Sequence, residues 1–169
     1  FGERLRTIDF VYDFEQTEEI NQTLLRMQGS HPLIRQTRLF LKRTQPIVFD
    51  PEYNVIHDDA LLKEYEALLQ YPEHLYWKKA PLAEKGPSSF QLVHKIPGNN
   101  VDEAFGAIII DVDHMELENM LQTLTPYNNG VTMLLDEEGR LLLSSSYEPN
   151  QMEILQHLQE AMPAVEDGS

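Results

Sequence analysis

Hydrophobic residues along the chain recur with two different periods, and the switches between them mark out the elements. Leu5, Ile8 and Tyr12 follow one another at helical spacing, as do Ile20, Leu24 and Met27, which predicts helix over Glu3 to Met27. Between these groups Asp13 to Glu19 is strongly polar, and Thr17 followed by Glu18 and Glu19 has the make-up of an N-cap with acids in the first turn. The stretch is therefore either one long helix with a solvated middle or two helices, closed by Gly29 and Pro32. From Ile34 to Phe49 the pattern turns to β. Leu39 to Leu41 and Ile47 to Phe49 form two runs, and Pro46 between them suits an edge or a strand start because it lacks a ladder donor. Asp50-Pro51-Glu52-Tyr53-Asn54 reads as a turn. Asp58 or Asp59 then caps a helix carrying Leu61, Leu62, Tyr65, Leu68 and Leu69, which Pro72 ends.

An irregular aromatic stretch, Tyr71 to Pro81, is followed by a strand over Ser88 to Ile96 with Phe90, Leu92, His94 and Ile96 on one face. Pro97-Gly98-Asn99-Asn100 is a turn. Ala104 to Val112 is a second strand, whose unbroken Ala107 to Ile110 run predicts burial on both faces or a central place in the sheet. Asp113 and Glu116 resemble a capping box before a helix presenting Leu117, Leu121 and Leu124, stopped by Pro126. Val131 to Leu135 and Arg140 to Ser144 flank the turn 136–139 as a hairpin, and a last amphipathic helix is expected from Gln151 to Met162. Strand-strand-helix units that recur without parallel crossovers predict α+β architecture with an antiparallel sheet.

The chain has 169 residues, of which 41% are hydrophobic and 24% charged, the make-up of a folded domain. Its 28 acidic and 13 basic side chains leave a net charge of −15, which repels a phosphate backbone and argues against nucleic-acid binding by this segment. The absence of cysteine excludes disulfides, thiolate metal sites and a cysteine nucleophile. The longest apolar run, Ala104 to Ile110, is far below the ~20 residues that span a bilayer. The chain begins at Phe1, without an initiator methionine or a basic leader, and reads as a piece of a longer protein.

Catalytic motifs are missing. The glycines never form a dinucleotide or P-loop fingerprint, and there is no GxSxG or HExxH. The six histidines fit no common zinc spacing. His57-Asp58-Asp59 and Asp111-Val112-Asp113-His114 read as capping acids beside surface histidines, and Asp102-Glu103 and Glu137-Glu138 as solvated turn acids. We therefore expect no catalytic residue, no metal and no cofactor. The aromatic cluster Tyr65, Tyr71, Tyr76 and Trp77, with Phe90 and His94 downstream, has the composition of a small-molecule pocket, where rings supply apolar area and polar tips together. The composition by itself favours a plainer reading over the pocket, with Trp77 and Phe90 as core and the tyrosines at the rim.

Gly106-Ala-Ile-Ile-Ile-Asp-Val-Asp113, the helix with Leu117, Leu121 and Leu124, and the hairpin Gly130-Val-Thr-Met-Leu-Leu-Asp-Glu-Glu-Gly139-Arg-Leu-Leu-Leu-Ser-Ser145 together resemble the double Cache sensor domains of bacterial membrane receptors, over about residues 34–146. Pro97-Gly98-Asn99-Asn100, Phe105-Gly106 and Leu124-Thr125-Pro126-Tyr127 look most like the extracytoplasmic domains of membrane-anchored AraC-type transcriptional regulators and YesM-type sensor histidine kinases of Firmicutes. The resemblance implies a long N-terminal helical stalk (1–31), a membrane-distal PAS-like Cache module (32–127) and a partial membrane-proximal module (128–169). It also implies an extracytoplasmic location, with the membrane reached only through flanking transmembrane helices, a homodimer formed through the N-terminal helix, and an output that is a DNA-binding domain or a kinase. The amino-acid-binding subclass carries an arginine shortly before a tryptophan-tyrosine pair. Here Pro72-Glu73-His74-Leu75 precedes Tyr76-Trp77, so a ligand carboxylate lacks that partner. Asp111 matches the acid that the subclass places on its last distal strand.

The expected function is a non-enzymatic ligand-sensing module. A small solute would sit between the sheet face and the loop carrying Tyr76 and Trp77. Tyr76, Trp77 and Phe90 would stack on it beside Tyr65, and His94 and Asp111 would make polar contacts. Its differential affinity for two arrangements would tilt the N-terminal helix relative to the hairpin 131–144. The acidic surface favours a neutral or cationic ligand. The alternatives are a protein-interaction or dimerisation domain without a pocket, and a cytoplasmic PAS-type domain.

Overall fold

The computed structural model of the chain describes residues 2–79, 90–97, 103–124, 130–135 and 141–145. The helix expected over 151–162, the helix stop at Pro126 and the turns at 98–100 and 136–139 lie outside them. Two compact units are present, one ending at His114 and one starting at Met115.

In the first unit, α1 (Gly2–Thr7) and α2 (Phe14–Gln28) precede β1 (Ile34–Leu41), β2 (Ile47–Asp50) and β3 (Glu52–Val55). Next come α3 (Asp59–Leu69), β4 (Leu75–Lys79), β5 (Phe90–Pro97) and β6 (Ala104–Val112). The strands form one antiparallel sheet of six in the order β3-β2-β1-β6-β5-β4. The class is α+β, as the strand and helix pattern predicts. β6 lies in the middle between β1 and β5, which is why its Ala107 to Ile110 run needs no polar alternation.

The N-terminal stretch takes the two-helix option. Phe10 is buried against the rings of Phe49 and Tyr53, at centroid distances of 5.5 and 6.0 Å, and this anchoring to the sheet breaks the helix across residues 8–13. The N-cap of α2 is consequently Asp13, whose carboxylate accepts from the backbone N–H of Gln16 at 3.3 Å. Thr17 does not cap. It sits inside the helix and its hydroxyl donates to the carbonyl of Asp13 at 2.9 Å. Asp58 caps α3, with Oδ1 accepting from Ala60 and Leu61 at 2.8 and 3.4 Å.

Two irregular stretches prove regular. Beyond Pro51 the chain folds straight back as β3, with Glu52 opposite Asp50 and Tyr53 opposite Phe49, because Tyr53 and Val55 have apolar surface to pack beneath α2. Residues 75–79, expected as loop, are the edge strand β4, paired to β5 from Leu75↔His94 to Lys79↔Phe90.

Strand alternation divides the core. On one face Leu39, Leu41, Ile47, Phe49 and Ile96 pack with Leu5, Ile8, Phe10, Ile20 and Leu24 of the N-terminal helices and their junction. On the other, Phe40, Val48, Tyr76, Val93, Ala107 and Ile109 pack with Tyr65 and Leu68 of α3. Each fully buried aliphatic or phenyl side chain contributes about 1.5–3 kcal/mol.

In the second unit, α4 (His114–Leu124), which starts at the boundary, buries Leu121. β7 (Met133–Leu135) and β8 (Leu141–Ser144) pair antiparallel as the expected hairpin. Ser145 and Thr132 close its end, with the hydroxyl of Ser145 accepting from the Thr132 N–H at 2.9 Å. Among the described residues no helix is long and apolar enough to cross a membrane.

Candidate ligand-binding face

The face of the sheet under α3 is apolar at one end and polar at the other. The polar end follows from register. Lys78 lies opposite Gln91, Gln91 opposite Asp111, and Asp111 opposite Gln36, so four polar side chains form a row across β4, β5, β6 and β1. In the adjoining row Arg38 is opposite Ile109, with Val93 beyond it and Tyr76 at the edge. Both rows occupy positions whose parity matches the core residues Phe40, Val93 and Ile109.

Asp111 is the hub. Its Oδ2 accepts from Nη2 of Arg38 at 2.6 Å, and its Oδ1 accepts from Nε2 of Gln91 at 2.8 Å. The three side chains are nearly sealed from water, with exposures of 2% for Asp111, 8% for Arg38 and 5% for Gln91. Removing such charges from water is costly, and short charge-assisted hydrogen bonds on both carboxylate oxygens offset that cost. The amide of Gln36 donates to Asp50 at the end of β2.

Aromatic side chains border this network. Tyr65 of α3 stacks on Phe40 at 5.0 Å between centroids. Burial raises its phenol above the usual range, and the adjacent Arg38 guanidinium works against that rise. Tyr76 stacks on Tyr71 at 4.3 Å and donates its hydroxyl proton to the carbonyl of Leu68 at 2.7 Å. Burial, then the charges of Tyr71 and Glu73, push its phenol well above the usual range. The Nζ of buried Lys95 donates to the carbonyl of Tyr71. Tyr76 thus holds one of the last carbonyls of α3, and Lys95 holds a carbonyl just beyond its C-cap Gln70, where a cation also meets the helix dipole favourably.

The six residues expected from the sequence to form the site fall on two sides. Tyr65, Tyr76 and Asp111 meet on the face under α3. Trp77, Phe90 and His94 belong to the opposite parity of β4 and β5. On that side Phe90 is buried, His94 is exposed, and Trp77 is 59% exposed. Tyr76 and Trp77 are consecutive in an extended strand, so they point to opposite faces and cannot stack on one guest. Gln36, Arg38, Lys78 and Gln91 were not singled out from the sequence. Their signal is parity, since each is a polar residue in step with apolar ones: Arg38 with Phe40, Gln91 with Val93, and Lys78 with Tyr76. Among the described residues no three His, Asp or Glu side chains gather to hold a metal ion.

No protein-family profile matches the sequence, nor does any curated protein. Solved structures do. The extracellular domain of rpHK1S-Z16, an assigned histidine kinase, superposes with a TM-score of 0.53 at 15% identity, over 80% of this chain and 59% of that one. The sensory domain of the Campylobacter jejuni chemoreceptor Tlp3 with isoleucine bound gives a TM-score of 0.52 at 10% identity, over 91% of this chain and 60% of that one. The same receptor's ligand-binding domain in complex with L-valine gives 0.51 at 9% identity, over 97% of this chain and 64% of that one. The chain has the PAS-like fold of Cache-type sensory domains. It spans about six-tenths of the length of these structures. In this Cache-type fold, the N-terminal helices and the buried polar row lie on opposite faces of one sheet.

Proposed function

We propose that this Cache-type fold is the extracytoplasmic ligand-sensing domain of a bacterial transmembrane signal-transduction protein, an AraC-type regulator or a sensor histidine kinase. The observation that carries this reading is the buried network Arg38, Asp111 and Gln91, placed on a sheet face that would otherwise be core. A fold that needed only stability would fill those positions with apolar side chains, because such replacements are often neutral or stabilising. A sensor needs polar groups held rigidly beneath a guest.

In this reading a small solute binds over the polar row, with Tyr65 and Tyr76 beside it. Tlp3 binds isoleucine and valine, and the shared fold makes small polar solutes of that size the first class to try. The ligand would bias the positions of β1 and β6, which carry Arg38 and Asp111 on one face and the packing of α1 and α2 on the other. The N-terminal helices would carry that bias towards flanking transmembrane segments and would pair two copies of the chain.

The test is a thermal-shift screen over amino acids, sugars, amines and carboxylates. A specific solute at about 100 times its Kd adds ~2.7 kcal/mol of stability. The response should vanish in Gln91→Ala and persist in Trp77→Ala. A second reading, a protein-docking domain, is favoured by Val11, Tyr12 and Phe14, which are 68%, 88% and 76% exposed at the α1–α2 junction. An inert screen combined with partner binding lost in Tyr12→Ser would replace the first reading with this one.

A further inference from the structure

We propose that the junction of α1 and α2 is a docking surface for a basic, partly apolar segment of another protein, with an arginine of that partner entering a cleft between Asp9 and Asp13. This gives the exposed junction noted above a partner of defined chemistry. It holds whether or not a solute binds the polar row, which lies on the other face of the sheet. The junction is firmly built. Phe10 is buried against Phe49 and Tyr53, the backbone N–H groups of Tyr12 and Asp13 donate to the carbonyl of Asp9 at 3.1 and 2.8 Å, and the hydroxyl of Thr17 donates to the carbonyl of Asp13 at 2.9 Å. With Phe10 turned inward, Val11, Tyr12 and Phe14 are left 68%, 88% and 76% exposed. Large apolar side chains held outward so close together contribute little burial to the fold, and contiguous surface of this kind marks an interaction site.

Thr7, Ile8, Asp9, Tyr12, Asp13 and Gln16 line a cleft of about 490 Å³ at this junction, ample for one long side chain. Its charge is negative. Asp9 accepts the Val11 N–H on Oδ1 at 3.2 Å, and Asp13 accepts the backbone and side-chain N–H groups of Gln16. Among the described residues Asp9, Asp13 and the following Glu15 have no ion-pair partner. The guanidinium of Arg43 lies over the ring of Phe10 and that of Arg6 over Phe105, so both are engaged on aromatic faces. A partner's arginine suits the cleft because its planar fork pairs with a carboxylate and stacks on a ring such as that of Tyr12. Apolar neighbours in the same segment would cover Val11 and Phe14, and the overall charge of −15 draws a basic segment in. That charge also argues against other occupants. A second copy placed by two-fold symmetry would set Asp9, Asp13 and Glu15 against their own copies, and an anionic lipid surface would repel them. Pairing of two copies would therefore use other parts of α1 and α2.

The test uses the 169-residue chain and dye-labelled synthetic peptides: a mixed leucine-arginine peptide, its leucine-glutamine and leucine-glutamate counterparts, and an arginine-glycine peptide without apolar side chains. By fluorescence anisotropy the leucine-arginine peptide should bind, less tightly as salt is raised, and the other three should bind far more weakly. Asp9→Asn keeps the acceptor for the Val11 N–H and should weaken binding by roughly three- to five-fold, the size of an exposed ion pair. Tyr12→Ser should weaken it by about ten-fold, as loss of an aromatic anchor does. Glu64→Gln removes the same charge from the exposed side of α3 and should leave binding unchanged. Amide chemical shifts of the parent chain should move at residues 7–16, and unchanged melting points show that the variants are folded. Binding that survives both Asp9→Asn and Tyr12→Ser, or that falls equally in Glu64→Gln, is general attraction to an acidic surface and overturns the assignment, as does a lack of binding by every peptide. Self-association, or binding to phosphatidylcholine vesicles, that is lost in Tyr12→Ser gives the junction to a second copy or to a membrane and overturns it too. None of these outcomes bears on the solute screen, so sensing stands or falls separately.

Discussion

Arg38 and Asp111, 73 residues apart in sequence, form a 2.6 Å ion pair across neighbouring strands with almost no access to water. Such a pair is strongly coupled: removing one partner strands the other charge in the interior. Arg38→Ala and Asp111→Ala should each destabilise the domain by about 3–5 kcal/mol. The apolar double variant Arg38→Met with Asp111→Leu should lose much less than the sum of the single changes. Urea unfolding of the four proteins measures the coupling. Additive losses would mean that the pair is not a unit, and its retention would no longer point to ligand binding.

Tyr76 ties β4 to the end of α3 through the bond from its hydroxyl to Leu68, which only the protonated phenol makes. Its acidity is lowered by burial first and by the nearby charges of Tyr71 and Glu73 second. The sign follows from linkage. Below the unfolded phenol value of about 10 both states are protonated and the full stabilisation is present. As pH rises above that value the unfolded chain releases its proton while the folded one retains it, so stability falls. Tyr76→Phe should cost about 1 kcal/mol at neutral pH and should flatten the decline in melting temperature above pH 10. An alkaline slope identical to that of the parent would place the titrating phenol elsewhere, with Tyr65 the next group to test.

The sheet was legible because its strongest signals are local. Leu39 to Leu41, Ile47 to Phe49 and Ala107 to Ile110 are apolar runs whose pairing needs no knowledge of the rest of the fold. Asp58 was legible as a cap for the same reason. Asp13 was not, because its role depends on Phe10 reaching Phe49 across the fold, a contact that sequence spacing does not encode. The candidate site shows the same split. Asp111, Tyr65 and Tyr76 stand out by residue type, whereas Arg38 and Gln91 become meaningful only once register brings them against Asp111. Trp77 drew attention as the sole tryptophan, and strand parity then turned it to the other face.

Gly106 reports on how closely β6 and β1 approach. It lies opposite Leu41, and a Cβ placed there would come within 2.5 Å of the carbonyl oxygen of Phe40 and 2.8 Å of Leu41 Cδ2. The leucine methyl can rotate away, but the backbone oxygen is fixed in the sheet. Gly106→Ala should therefore destabilise by about 2–3 kcal/mol, at the upper end of overpacking changes. Hydrogen exchange should show the loss as faster opening of β1 and β6. A neutral outcome would show that the strands separate freely at this point.

The two faces of β4 and β5 make a sharper test of where the guest sits. Trp77 and His94 lie outside the α3 face and are solvent-accessible, so Trp77→Ala and His94→Ala should change stability by no more than about 0.5 kcal/mol and leave the response to a bound solute intact. Tyr65 covers the polar row from α3 and stacks on Phe40. Tyr65→Leu keeps much of that apolar volume while removing the hydroxyl beside Arg38, so it should weaken solute binding more than it weakens the fold. Melting temperatures with and without solute separate the two effects in each variant. If Trp77→Ala abolished the response and Tyr65→Leu did not, the guest would lie on the opposite face, and the buried polar row would be an element of structure alone.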